Sequence, residues 1–231
     1  MTALQPIVAI IPARMGSKRV CGKNRLRIGE RTLLERTMDA VAQSGVIERT
    51  ILSTDDMQLI SAAEQYPDME CDARPVELAA DQTSSADVLR YLIQKLGLET
   101  CTIILLQLTS PFRTGADISA LLERMAENNV ESGVSVTRWR TPPSPPFGTT
   151  ETRTRLGSEQ TTKGSEQTDL RDRSWAINGA VYIFKATKLL REGALYDPQS
   201  AIHIMEPWRS IDIDYEDDVK IAEAIARHYN L

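Results

Sequence analysis

Cysteine is scarce: Cys21, Cys71 and Cys101 are the only three in 231 residues, and no CxxC pair occurs. That excludes a disulfide-stapled scaffold. There are two histidines, His203 and His228, so a Cys/His zinc site would have to be gathered from distant positions. No run approaches the ~18 apolar residues of a membrane span. Met1 to Gln5 lacks the basic start and long apolar stretch of a signal peptide. An excess of positive charge is also missing, since 27 Lys and Arg face 32 Asp and Glu for a net charge of −5. A nucleic-acid coat or a polybasic membrane binder needs the opposite balance. No internal repeat is visible. Together these absences predict a soluble cytoplasmic protein with neither a nucleic-acid nor a membrane partner.

What is present is an ordinary globular composition, 42% hydrophobic and 26% charged, in a length that suits one domain over residues 1–231. Ile7 to Ile11 is a continuous apolar run ended by Pro12, as expected of a strand covered on both faces. Leu34, Met38, Val41 and Ala42 then follow the stripe of an amphipathic helix. Thr50 to Thr54 reads as a second strand with Asp55 and Asp56 at its end, and a helix over about 57–65 follows. Further helices are expected over Ser85–Leu96, Ala116–Glu127 and Glu216–His228. Further strands are expected over Thr102–Leu106, Gly133–Val136 and Gly179–Phe184. Such alternation predicts an α/β fold with a mainly parallel sheet flanked by helices. It breaks after Trp139, where Pro142, Pro143, Pro145 and Pro146 forbid a regular helix. Residues 148–169 are rich in Thr, Glu, Gln, Gly and Arg and poor in large apolar groups. They read either as a surface insertion or as a lid or arm that reaches a partner subunit.

Charge is distributed unevenly. Residues 14–31 carry Arg14, Lys18, Arg19, Lys23, Arg25, Arg27 and Arg31 against Glu30 alone, seven positive charges less one negative, which leaves −11 for the rest of the chain. A cationic, Gly-containing loop after the first parallel strand lies where α/β sheets bind ligands. Its ammonium groups, guanidinium forks and backbone N–H groups suit a polyphosphate. Neither GxxxxGK[ST] nor GxGxxG is present, which disfavours a P-loop ATPase and a dinucleotide dehydrogenase. Near the C-terminus, Glu206, Asp212, Asp214, Glu216, Asp217 and Asp218 face only Arg209 up to residue 218. In a strand, Asp212 and Asp214 would point to one face, and two carboxylates there repel unless a cation such as Mg²⁺ separates them. Glu216, Asp217 and Asp218 suit the positive start of the last helix.

Ile11-Pro12-Ala13-Arg14-Met15-Gly16-Ser17-Lys18, with Lys23-Asn24, resembles the opening signature of the acylneuraminate (CMP-sialic acid synthetase-like) cytidylyltransferases. The resemblance continues in order. It runs through Ser53-Thr54-Asp55-Asp56, Arg74 to Asp81 with Ser84-Ser85, and Leu106 to Arg113, then Asn178 to Ile183 and Ser210 to Asp214. It implies a Rossmann-like nucleotidyltransferase fold with a small inserted arm, over about 140–175, for dimerisation or closure. It implies transfer of CMP from CTP to the anomeric hydroxyl of a nonulosonic acid, with release of pyrophosphate, Mg²⁺ or another divalent cation as cofactor, and a homodimer. Arg14, Ser17, Lys18, Lys23 and Asn24 would line the nucleotide and its phosphates, with Lys23 and Arg14 on the triphosphate. Arg74, Ser84, Ser85 and Gln107 would recognise cytosine, although Ser84 or Ser85 equally suits a helix cap. Gln107, Asn178 and Gly179 would face the acceptor sugar. Arg171 and Arg173 could substitute for an Arg that often stands two residues before the Asn. Asp212 and Asp214 would hold the metal. The proton acceptor is either Asp214 or a metal-bound water or hydroxide, and His203 reads as structural. The rivals are a KDO-type cytidylyltransferase, another sugar nucleotidylyltransferase, and an inactive relative that senses nucleotide.

Overall fold

The computed structural model of the chain describes residues 5–16, 19–78, 82–138 and 175–231. The expected arm over 140–175 falls outside them except for Trp175, as do Ser17, Lys18, Arg171 and Arg173.

A seven-stranded sheet forms the middle layer. Its strands are β1 (Ile7–Pro12), β4 (Arg49–Thr54), β5 (Met69–Ala73), β6 (Thr102–Leu105), β7 (Ser132–Arg138), β8 (Trp175–Lys185) and β9 (Ala201–Met205). The spatial order is β5-β4-β1-β6-β8-β7-β9. Strands β5, β4, β1 and β6 pair in parallel, β8 runs antiparallel to both β6 and β7, and β9 is again parallel to β7. The short β2 (Arg27–Ile28) and β3 (Arg31–Thr32) make a separate hairpin. This is the expected α/β fold with a mainly parallel sheet. Its single reversed strand has both neighbours running against it.

The apolar run of β1 explains the layering. Successive side chains of a strand point to opposite faces. Ala9 and Ile11 therefore enter one core with α1 (Leu33–Ser44), α2 (Met57–Ala63), α4 (Gly115–Glu127) and α6 (Glu216–Tyr229). Val8 and Ile10 enter a second core with α3 (Ser85–Leu96) and α5 (Ala186–Glu192). All four side chains are fully buried. Helix starts follow local chemistry: Thr32 caps α1 and Ser84 caps α3, each in a reciprocal capping box with the residue three positions on.

Four elements were not expected from the sequence: β5, β9, α5 and the β2–β3 hairpin. Strand β5 reads Met-Glu-Cys-Asp-Ala and β9 reads Ala-Ile-His-Ile-Met, and both lie at sheet edges. An edge strand does not need the unbroken apolar run that marks β1. One expectation is corrected. Residues 211–214 form no strand. They run as an irregular segment, held where the Ile213 N–H donates to the Thr109 carbonyl at 2.9 Å.

Helices α1 and α4 pack closely where α4 begins. A Cβ on Gly115 would overlap the backbone of Gln43 and Ser44. Gly115→Ala is therefore expected to cost about 1–3 kcal/mol through overpacking. Equilibrium denaturation would show this as a lowered midpoint with unchanged slope.

Candidate active site

Strand order reverses beside β1, because the chain places β4 on one side of it and β6 on the other. Beyond the carboxyl ends of such strands lies the usual ligand crevice of an open α/β sheet. A cleft of about 150 Å³ occupies this position, lined by Pro12 at the end of β1, by Arg14, Lys23 and Asn24 from the loop that follows, and by Arg74 after β5. Thr83, Ser85 and Val88 at the start of α3 close one side, and Gln107, Leu108 and Thr109 after β6 close another. Residues far apart in sequence thus converge on one opening.

The basic loop is tied down by the acids at the end of β4. The Met15 N–H donates to Asp55 at 2.7 Å, and Arg25 pairs with the buried Asp56 at 3.2 Å. The Asn24 amide donates to the Arg14 carbonyl at 2.9 Å, so Asn24 shapes the loop as well as lining the cleft. Arg74 is largely buried, and burial lowers its pKa. Its guanidinium donates to the Ser53 carbonyl at 2.8 Å and approaches the Ser53 hydroxyl at 3.4 Å. Ser84 and Ser85 separate in role. Ser84 is the cap of α3, with its hydroxyl donating to Asp87 at 2.6 Å, whereas Ser85 lines the cleft.

The acidic segment reaches the same place from the C-terminal side. Lys23 Nζ donates to Asp214 at 2.9 Å and to the Ile213 carbonyl at 3.3 Å. Arg19 pairs with the other oxygen of Asp214 at 3.1 Å, and its guanidinium also donates to the Tyr215 hydroxyl at 3.2 Å. Asp214 thus carries two cations on its carboxylate. Asp212 differs. Desolvation by the surrounding protein raises its pKa, a hydrogen bond from Thr109 opposes that shift, and the nearby charge of Asp214 adds to it. Although crowded by protein, it keeps part of its surface open. Among the described residues no group of three or more His, Cys, Asp and Glu side chains gathers into a metal site.

A bulge in β8 lies beside the acidic segment. Val134 and Val136 of β7 pair with Tyr182 and Ile177 of β8, so Asn178 to Val181 bulge against Ser135 alone. Gly179 adopts φ +77° there, a left-handed conformation that favours glycine, and lies beside Asp212 and Ser110. The Asn178 side-chain oxygen Oδ1 accepts from the Ser135 hydroxyl at 2.6 Å and the Ala180 N–H at 3.2 Å. Its amide nitrogen donates to the Ser210 hydroxyl at 2.9 Å and to the Met205 sulfur at 3.3 Å. Asn178 thereby fastens β7, β8 and the acidic segment together.

That segment has a second fastening, not foreseen from the sequence. Asp117 on α4 is buried and takes both guanidinium nitrogens of Arg209, at 2.7 and 2.8 Å, together with His203 Nε2 at 2.9 Å. The Thr114 N–H adds a further bond at 2.8 Å. Burial alone would raise the Asp117 pKa, but His203, Arg209 and the Thr114 N–H outweigh it and hold it well below the usual carboxylate range. His203 is thus structural, as expected. No periodicity marks Asp117, which shows in the sequence only as an acid in the first turn of a helix.

The sequence profile described as Cytidylyltransferase matches residues 8–197. The chain belongs to the cytidylyltransferase family. It is 31% identical over 227 residues to an N-acylneuraminate cytidylyltransferase of Escherichia coli O18:K1:H7, covering 97% of this chain and 53% of that one. It is 29% identical over 226 residues to a CMP-N,N'-diacetyllegionaminic acid synthase of Legionella pneumophila, covering 95% of each. The chain spans about half the length of the N-acylneuraminate cytidylyltransferases it matches. Among solved structures, CMP:2-keto-3-deoxy-manno-octonic acid synthetase complexed with CTP superposes with a TM-score of 0.68 at 16% identity, covering 97% of this chain and 100% of that one. The fold is shared with that synthetase. Among the described residues no helix is long and apolar enough to cross a membrane.

Asp117 carries a testable consequence. Asp117→Asn leaves Arg209 with a neutral partner and is expected to cost roughly 3–5 kcal/mol. Because the native pKa is lowered, the stabilisation is present above the unfolded value of about 4 and is lost as pH falls through the native one. The variant should therefore show a shallower loss of stability than the unmodified protein below about pH 4, measured by denaturant titration across pH.

Proposed function

We propose that this cytidylyltransferase transfers CMP from CTP to the anomeric hydroxyl of a nonulosonic acid, giving a CMP-activated sugar and pyrophosphate. The carrying observation is the convergence of Arg14, Lys23, Arg74, Ser85 and Gln107 on one cleft, with Asp212 and Asp214 fastened at its edge. The names of the Escherichia coli and Legionella relatives support an acceptor of the sialic-acid class. A KDO-type acceptor is the second reading, supported by the fold shared with the octonic acid synthetase.

In this reading the acceptor oxygen forms a bond to the α-phosphorus while the bond from that phosphorus to the pyrophosphate oxygen breaks. The hydroxyl proton leaves to a base. Such a transfer depends on alignment and on neutralising charge. Lys23 and Arg14 place positive charge on the triphosphate, with Ser17 and Lys18 completing the loop. Arg74, Ser85 and Gln107 offer donors and acceptors to the base ring. Gln107 and the hollow at Gly179 face the acceptor. Arg171 and Arg173 remain the candidates for its carboxylate.

The donor set fits Mg²⁺. Two carboxylates on alternate residues are hard oxygen ligands, and repulsion from Asp214 helps to raise the Asp212 pKa, a repulsion that a divalent ion would relieve. Mg²⁺ takes one or two carboxylates and completes its shell with water and phosphate oxygens, so two protein ligands suffice. When bound, it would neutralise charge on the triphosphate. We further propose a cytoplasmic homodimer in which residues 140–175 serve as the dimerisation or closing arm.

Pyrophosphate release measured with CTP, UTP, GTP and ATP against a panel of nonulosonic acids and KDO tests the reading. Release with CTP and a nonulosonic acid is expected, and its absence with every such acid would refute it. Lys23→Ala is expected to lower kcat about 100-fold, the scale of losing one charge-stabilising donor. Excess chelator should abolish release, and restored Mg²⁺ should recover it.

A further inference from the structure

Arg19 has no role in the reading above, yet it spans the edge of the site. Its guanidinium pairs with Asp214 at 3.1 Å, donates to the Tyr215 hydroxyl at 3.2 Å and lies 4.9 Å from the centre of the Tyr215 ring. Lys23 holds the other oxygen of the same carboxylate. The two cations differ in how firmly they are kept. The Lys23 side chain is 19% exposed and is also bound by the Ile213 carbonyl, whereas the Arg19 side chain is 52% exposed. An exposed pair is weakly held and readily exchanged. The backbone beside it is anchored, since Val20 is buried, so the guanidinium can move while the loop stays. Tyr215 is itself exposed and offers a landing place for the guanidinium outside the cleft. A guanidinium fork is well matched to phosphate oxygens.

We propose that Arg19 is a further triphosphate-binding residue, held in the free protein on Asp214 and Tyr215, so that it competes with the metal for Asp214 until nucleotide arrives. A divalent cation arriving at Asp214 displaces the guanidinium, and the triphosphate takes it up. Metal and nucleotide then favour one another through one side chain, and the coupling is reciprocal. The proposal rests on the CTP-using reading of the site.

Titration calorimetry on the full chain tests it, with Mg²⁺ alone, CTP in chelator, and CTP in Mg²⁺. Arg19→Ala removes both the competitor and the phosphate ligand, so its effects should have opposite signs. Mg²⁺ alone should bind about 3-fold tighter, and CTP about 5- to 10-fold weaker, as expected for one exposed charged contact. Tyr215→Ala loosens the resting position but keeps the guanidinium, so CTP should bind at least as tightly as to the unmodified protein. Weakening of both ligands in Arg19→Ala would mark a merely structural residue and overturn the proposal, as would unchanged CTP affinity. Failure of the unmodified protein to bind CTP at all would overturn the functional reading along with it.

Discussion

A buried carboxylate must be compensated, and Asp117 meets that requirement with groups drawn from distant parts of the chain. Arg209 comes from the turn after β9, His203 from β9 itself, and Thr114 from the start of α4. Losing any one leaves charge stranded in a medium that tolerates it poorly. The arrangement therefore fixes where residues 206–214 run, and with them Asp212 and Asp214. Asn178 repeats the device with neutral groups, joining the bulge in β8 to Ser210 of the same segment. The acidic side of the site is thus located by two buried polar anchors rather than by strand pairing.

The basic side is located differently. Asp55 and Asp56, at the end of β4, hold the loop after β1 through Met15 and Arg25. Opposite charges then meet across the opening, with Lys23 and Arg19 on Asp214. The net charge of −5 conceals this geometry. A cationic loop and an acidic segment neutralise one another at the edge of the cleft.

Strands buried on both faces and helices with a clear apolar stripe were legible, because periodicity records burial directly. Helix α3 over Ser85–Leu96 has the bounds its pattern indicated. The edge strands β5 and β9 were not, since half-exposed edges carry Glu, Asp and His without penalty. The basic loop and the Asp-x-Asp pair were visible as composition. What escaped was side-chain commitment. The bonds of Asn178 to Ser135 and Ser210 and those of Asp117 to His203 and Arg209 left no mark in the sequence pattern. Those partners lie tens of residues away, which no local pattern encodes.

The reversed strand β8 has a consequence for the connection that leads into it. Arg138 and Trp175 are registered partners, so the chain leaves β7 and re-enters β8 at neighbouring points, on the edge of the sheet where the cleft lies. Whatever lies between those two residues begins and ends on a fixed staple. The entropy of closing such a connection grows slowly, by about 0.6 kcal/mol per doubling of its length. The length and sequence of that connection can therefore change at little cost to the sheet and the charged cleft.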